Sequence, residues 1–321
     1  MTRILKLNEI KKILEGIDPI KIIEEGFIAY SQGKVVVPPI GEMIFDDPKH
    51  PGDCHIKYGF IKNDEYYVVK IAQGFYNNPK VGLPSTNGLN ILFNQKNGAI
   101  ECILLDEGYL TDVRTASAGA IAAKYMAPKN VNRIGIFGTG LQGKMQLQFL
   151  KSVVDCRKAS IWGRGKEQLK KYQDDMASSE FEIETTMNSN DITNSCNLIV
   201  TCTPSKLPLI NADQVLKGMH ITAMGSDTSE KQELESKILQ KSDRVVVDSL
   251  SQAGTRGECF HAIRNGDIKK DRIIELGNMI TDKNFQRAND DEITIVDLTG
   301  VAVQDIQISK AVYEGYLSLN K

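Results

Sequence analysis

Ile134-Gly-Ile-Phe-Gly-Thr-Gly-Leu-Gln-Gly143 decides the fold. An apolar run, residues 134–137, ends in a turn built on Gly138, Gly140 and Gly143, with Thr139, Leu141 and Gln142 between them. A helix-forming stretch, residues 144–152, follows. Strand, glycine turn and helix in that order form a dinucleotide-binding unit. The first glycine permits the tight turn, the second lets backbone approach a pyrophosphate, and the third lets helix and strand pack closely. The helix N-terminus then faces the phosphates. A second apolar run, residues 159–162, begins about 20 residues after the glycines, near the spacing such a unit needs. The reading is a nicotinamide cofactor, and with it hydride chemistry; a glycine turn in some other α/β fold is the alternative.

Working outward, apolar runs at 134–137, 159–162, 181–184, 198–202, 221–224, 245–248 and 293–296 alternate with helical segments. That alternation predicts an α/β, doubly wound parallel sheet. Upstream the pattern changes to α+β. Asp18-Pro19 is a helix cap with proline in the first helical position, and Ile20, Ile23, Phe27 and Ile28 follow at helical spacing. Strands are expected near 40–45, 54–60, 66–71, 88–93 and 100–105, separated by turn residues such as Lys62-Asn-Asp64 and Asn97-Gly98. Short turns between consecutive strands imply an antiparallel sheet. A helix rich in small residues is expected over 110–126, and a last helix over 303–317 packs back on the first part. The expected domains are therefore 1–113 with 303–321, and 114–302.

The chain has 321 residues and a formal net charge of −2, with lysine and arginine spread evenly. That excludes a nucleic-acid surface. No apolar run is long enough to cross a bilayer, and Met1-Thr-Arg-Ile-Leu-Lys lacks a signal-peptide core. The six cysteines contain no CxxC pair, so reduced thiols in a cytoplasmic protein are expected. Cys54-His55 and Cys259 near His261 lack ligand spacing and read as structural, so no metal is expected.

Three places carry candidate chemistry. The second strand ends Trp162-Gly-Arg164, with no carboxylate for a ribose hydroxyl. Arg164 stands where a 2′-phosphate is met, which favours NADP(H) among the NAD(P) cofactors; a solvated loop arginine is the alternative. Asp227, in His220-Ile-Thr-Ala-Met-Gly-Ser-Asp227, closes a strand where proton-transfer groups of open sheets are placed. Its alternative is to cap a following helix with Ser226 or Thr228. Lys57 and Lys70 lie in apolar strands, and Arg114 lies in the first turn of the small-residue helix, a poor place for a cation. Each alone reads as a solvated cation; together they suggest a carboxylate clamp.

Tyr109-Leu-Thr-Asp-Val-Arg-Thr-Ala-Ser-Ala-Gly-Ala-Ile-Ala-Ala-Lys-Tyr-Met-Ala-Pro128 resembles the signature of the ornithine cyclodeaminase/mu-crystallin family. The glycine turn, His220 to Lys231, and Asp297-Leu-Thr-Gly-Val-Ala-Val-Gln-Asp305 are similar to that family too. Lys70-Ile-Ala-Gln-Gly-Phe-Tyr-Asn-Asn-Pro79 and Gly82-Leu-Pro-Ser-Thr-Asn-Gly88 resemble most its branch of ectoine-utilisation and related cyclodeaminase-like proteins. The resemblance implies a homodimer with a Rossmann-type domain for NAD(P) and a substrate and dimerisation domain. It implies that Lys70 and Arg114 hold a substrate carboxylate, that Asp227 is the general acid/base, and that Lys70 is catalytic beside it. Thr86, Arg114, Leu141, Gln142, Thr203, Met224 and Lys231 would line the cofactor, and Leu298, Thr299 and Gly300 would lie near substrate and nicotinamide. Two departures stand out. The family's arginine after the Pro38-Pro39 segment is replaced by Ile40-Gly-Glu42, with Lys57 as the substitute, and the acidic ribose binder is absent. The expected activity is interconversion of a small α-amino acid and its α-imino acid by hydride transfer at Cα. Redox-neutral cyclodeamination of ornithine or a related diamino acid, and NADPH binding without catalysis, are the alternatives.

Overall fold

The computed structural model describes residues 2–75 and 77–320. Met1, Tyr76 and Lys321 lie outside the described residues; Tyr76 belongs to the Lys70–Pro79 stretch quoted above. Two compact units form: Met1–Arg114 with Val301–Lys321, and Thr115–Gly300.

The first unit holds a seven-stranded sheet of β1 (Arg3–Lys6), β2 (Val35–Val36), β3 (Gly41–Phe45), β4 (Gly52–Ile61), β5 (Tyr66–Phe75), β6 (Thr86–Asn94) and β7 (Ile100–Leu105). Strands β4 to β7 form the expected antiparallel meander. β1 adds in parallel to β7, a short strand the sequence reading did not include. Helices α1 (Leu7–Leu14) and α2 (Pro19–Ser31) follow β1 and precede β2. Asp18 caps α2 by accepting the backbone N–H groups of Ile20 (3.0 Å) and Lys21 (3.3 Å). The last helix, Ala302–Leu319, packs on α2 and β4, burying Val303, Ile306 and Val312.

In the second unit, α3 (Tyr109–Met126) enters from the first, and a wholly parallel eight-stranded sheet follows. Its strands are β8 (Ile134–Phe137), β9 (Lys158–Trp162), β10 (Glu182–Thr186), β11 (Leu198–Thr201), β12 (His220–Ala223), β13 (Arg244–Val247), β14 (Ile273–Glu275) and β15 (Thr294–Asp297). Their spatial order is β10-β9-β8-β11-β12-β15-β13-β14. The chain runs outward in one direction from β8 and in the other from β11. The crevice of a doubly wound sheet opens at that switch, beyond the carboxyl ends of the strands. Helices α4 (Leu141–Leu150), α5 (Lys166–Asp175), α6 (Ser189–Ser195), α7 (Lys237–Lys241), α8 (Glu258–Asn265) and α9 (Leu276–Thr281) connect the strands. Every residue of β8, β11, β12 and β15 is buried, as continuous apolar runs covered on both faces require.

Two expected boundaries move. The helix after the glycine turn starts at Leu141 instead of Lys144, because Gly140 takes an extended conformation and serves as its N-cap. Helix α3 starts at Tyr109, which puts Arg114 in its second turn and not its first. The dipole there is weak, so Arg114 needs a side-chain partner to explain its burial.

Candidate active site

The glycine turn in the second unit separates its three glycines by role. Gly138 has φ 131°, a conformation open to glycine. A Cβ on Gly143 would lie 2.3 Å from the carbonyl oxygen of Gly138, so only glycine lets α4 pack on β8. A Cβ on Gly140 would meet nothing within 4 Å. The open side of the turn is thus where a phosphate would approach, at the N-terminus of α4.

Beside it lies a cavity of about 200 Å³, lined by Thr115, Gln142, Cys202, Thr203, Pro204, Met224, Gly225, Asp227 and Lys231. Whole ligand sites run to ~300–1,000 Å³, so this cavity has room for only part of such a ligand. Its walls are the residues that follow β8, β11 and β12, plus Thr115 of α3. Asp227 does not cap a helix. The next one, α7, begins ten residues later at Lys237 with Ser236 as its N-cap. Instead Lys231 Nζ donates to Asp227 Oδ1 at 2.6 Å, and the Asp227 side chain stays 50 % exposed. A carboxylate and an ammonium therefore stand together on the wall of one cavity.

Of the other residues expected here, Leu141 is exposed on the first turn of α4, and Arg164 is exposed just past β9. Leu298, Thr299 and Gly300 follow β15 and are buried. Asp248 fixes them: it accepts the Thr299 hydroxyl at 3.1 Å and the Gly300 N–H at 2.6 Å.

The first unit holds the cations. Lys57 and Lys70 face each other directly across β4 and β5. Lys70 is 2 % exposed and Arg114 7 %. Lys70 Nζ donates to Asp305 Oδ1 at 3.1 Å, and Arg114 Nε lies 3.3 Å from the same oxygen. Gln304 fixes Arg114 twice: its Oε1 accepts from Arg114 Nη1 at 3.3 Å, and its Nε2 donates to the Arg114 carbonyl at 3.1 Å. Asp305 and Gln304 sit in the first turn of the last helix, where a carboxylate is favoured. Burial alone would raise the Asp305 carboxyl, but Lys70, Arg114 and Lys57 outweigh it and hold it below its ordinary value. Burial lowers Lys70 against the pull of Asp305. Nearby, Asp106 caps α3 through the Leu110 N–H at 2.9 Å and accepts from Asn90 Nδ2 at 3.2 Å. Three cations thus meet two carboxylates, Asp305 and Asp106, and burial pushes the second of these toward its neutral form. Thr86, at the start of β6, is exposed in this unit.

A model of the ornithine cyclodeaminase/mu-crystallin family matches residues 2–320. The chain belongs to that family. Among its curated relatives, an uncharacterized cyclodeaminase of Sinorhizobium fredii is 37 % identical over 97 % of this chain and 95 % of its own. The solved archaeal alanine dehydrogenase dimer with bound NAD is 32 % identical, with a TM-score of 0.88 over 100 % of this chain and 97 % of that one. The Thermococcus litoralis Δ1-pyrroline-2-carboxylate reductase, solved with NADH and L-proline, is 27 % identical, with a TM-score of 0.89 over 99 % and 98 %. The doubly wound nucleotide-binding fold and a nicotinamide cofactor are thereby those of the ornithine cyclodeaminase/mu-crystallin family.

Several residues of this family member escaped the sequence reading. Cys202, Pro204 and Gly225 flank residues it did name, and the strand-end rule would have reached them. Thr115 follows Arg114 directly. Asp305 entered only as the end of the family-like stretch, and its pairing with Lys70 and Arg114 comes from the last helix; Asn90 and Asp106 gave no local signal, because they pair with each other at a distance of 16 residues.

Proposed function

We propose an NAD(P)-dependent enzyme that interconverts a small α-amino acid and its α-imino acid. The observation that carries it is the cavity beside the glycine turn, with Asp227 and Lys231 on its wall. The nicotinamide, when bound, supplies or takes the hydride at Cα. The turn of Gly138, Thr139, Gly140, Leu141, Gln142 and Gly143 would hold the pyrophosphate, and Thr203, Met224 and Lys231 the nicotinamide end; Thr86 is proposed as a further coenzyme residue. Lys70 and Arg114, with Lys57, would hold the acid's carboxylate. A fixed carboxylate fixes Cα, and orientation of this kind supplies much of the rate. Asp227 would take and return the proton on the substrate nitrogen, with Lys231 Nζ 2.6 Å from its Oδ1. Leu298, Thr299 and Gly300, anchored by Asp248, would border the substrate.

Arg164 is exposed at the end of β9, with no carboxylate at that strand's end, which supports a preference for NADP(H). We also propose a homodimer in the cytoplasm. Supporting it, Met43, Ile44 and Phe45 are exposed on β3, an edge strand that pairs only with β4, and such edges invite a partner. All six cysteines are free. Among the described residues, no helix is long and apolar enough to cross a membrane, and no group of side chains could hold a metal. A second reading, redox-neutral cyclodeamination, is favoured by the likeness to the Sinorhizobium protein.

The test is a screen of pyruvate plus amines, cyclic ketimines, ornithine, lysine and diaminobutyrate, with NADH and NADPH in parallel. Steady loss of reduced-nicotinamide absorbance with an imino acid supports the first reading. Ammonia release without net change of coenzyme supports the second. Coenzyme binding without turnover of any of these would sink both.

A further inference from the structure

We propose that Glu233 is the positioning residue of the coenzyme pocket, setting the spacing of the loops that leave β11 and β12; the proposal rests on the coenzyme reading of that cavity. Glu233 is fully buried. Its Oε1 accepts the Thr203 N–H at 2.6 Å and the Thr203 hydroxyl at 2.8 Å. Its Oε2 accepts the Thr201 hydroxyl at 2.8 Å and the Gly225 N–H at 2.9 Å. Thr203 and Gly225 line the cavity, while Thr201 ends β11 behind it. One carboxylate therefore ties two walls of the cavity together. The fit is tight: a Cβ on Gly225 would lie 2.1 Å from the Thr203 carbonyl oxygen and 2.6 Å from the Glu233 carboxyl.

Its titratable neighbours are Glu258 and Cys202, and Lys231, two residues before it, is the cation on the same cavity wall. Glu258 of α8 accepts the backbone N–H groups of Glu233 (2.7 Å) and Leu234 (3.1 Å), and Asp297 of β15 acts on Glu258. Cys202, after β11, is the other titratable neighbour. Burial lifts Glu233 to about 7, against the pull of its four donors. A proton on Oε2 needs an acceptor, so the Thr201 hydroxyl must reverse. The tie between the two loops then weakens, and coenzyme affinity should fall as pH drops through neutrality.

Glu233→Gln tests this, because an amide NH2 would replace either the oxygen that now accepts from the hydroxyl of Thr201 and the N–H of Gly225 or the oxygen that accepts both the N–H and the hydroxyl of Thr203. NADH and NADPH affinities are measured by fluorescence titration across the neutral pH range, alongside thermal melting. The expected result is a folded variant whose coenzyme Kd is about tenfold weaker and no longer follows pH as wild type does. A purely structural role would lower the melting temperature and leave both the Kd and its pH dependence in place, which overturns the proposal. If Glu233→Gln does not fold, Thr201→Val decides, since Thr201 lies outside the cavity lining. Removing that donor should move the wild-type pH midpoint upward; an unmoved midpoint overturns the proposal. Wild type that binds neither coenzyme would refute the coenzyme reading itself, a result distinct from these.

Discussion

Lys57 on β4 stands directly opposite Lys70 on β5. Like charges in that register repel, and burial of Lys70 makes the repulsion worse. Asp305 is what makes the pair tenable, since Lys70 and Arg114 both converge on its Oδ1. Asp305→Ala leaves two buried cations without their counter-ion. It should destabilise the first unit by about 3–5 kcal/mol, the usual cost of breaking a buried ion pair. Lys57→Met, at a half-buried position, should cost far less. Denaturant unfolding of the two variants measures the contrast, and equal effects would refute the counter-ion role of Asp305.

Lys70 and Arg114 are proposed to hold the substrate carboxylate. Arg114→Lys loses the planar fork held by Gln304 while keeping the charge. Lys70→Met loses the charge at similar volume. Each should raise the KM for the amino or imino acid by about 10–100-fold, the worth of one charge-assisted hydrogen bond, with the NAD(P)H Kd unchanged. A Kd that moves with KM would place these cations at the coenzyme instead.

The legible parts of this chain were local. The βαβ unit around Ile134–Phe137 carries its own punctuation, and the Asp18-Pro19 cap needs only its neighbours. The insertion of β15 between β12 and β13 was not legible, because all three strands are equally apolar and nothing in them encodes neighbour order. Arg114 was noticed for its charge in a small-residue helix. Its partner Asp305 lies 191 positions further along the chain, and no spacing rule joins them. Asp227 reads locally as a cap or as an acid/base; the absence of a helix at 226–230 removes the cap, and that is a tertiary outcome.

The three glycines of the turn should behave differently. Gly140→Ala adds a methyl to open space. The fold should stay within about 0.5 kcal/mol of wild type, as for surface changes, while coenzyme affinity drops about tenfold or more because the methyl occupies the phosphate approach. Gly143→Ala forces a Cβ against the Gly138 carbonyl, so it should lose stability and coenzyme together. Melting curves with and without coenzyme distinguish them. A Gly140→Ala protein that binds coenzyme normally would count against the phosphate site.

Asp227→Asn keeps the shape of the cavity wall and removes the base. Turnover should fall about 10²–10⁴-fold, the range for a lost general acid/base, with coenzyme Kd nearly unchanged because the amide still accepts from Lys231. Full activity in this variant would move the proton to another group.

Stability should depend on pH through buried acids with raised values. Burial pushes Asp297, at the end of β15, up to about 7, from roughly 3.9 in an unfolded chain. The native state then binds more protons than the unfolded state across that interval. The contribution is fully present below the unfolded value and is lost as pH rises through the folded one. His220 works in the opposite sense. Burial lowers it to about 3, so its contribution is lost as pH falls from its unfolded value of about 6.5. Wild-type stability alone mixes the two, whereas Asp297→Asn leaves His220 in place and removes the Asp297 contribution together with its upward push on Glu258. Its amide oxygen can still accept the Cys259 N–H that Asp297 now takes at 2.8 Å. Relative to wild type, the variant should therefore gain stability as pH rises between about 4 and 7, approaching ~1.4 kcal/mol per pH unit mid-interval. Urea unfolding of both proteins at several pH values measures that difference; a flat difference would mean that Asp297 titrates as an ordinary carboxylate.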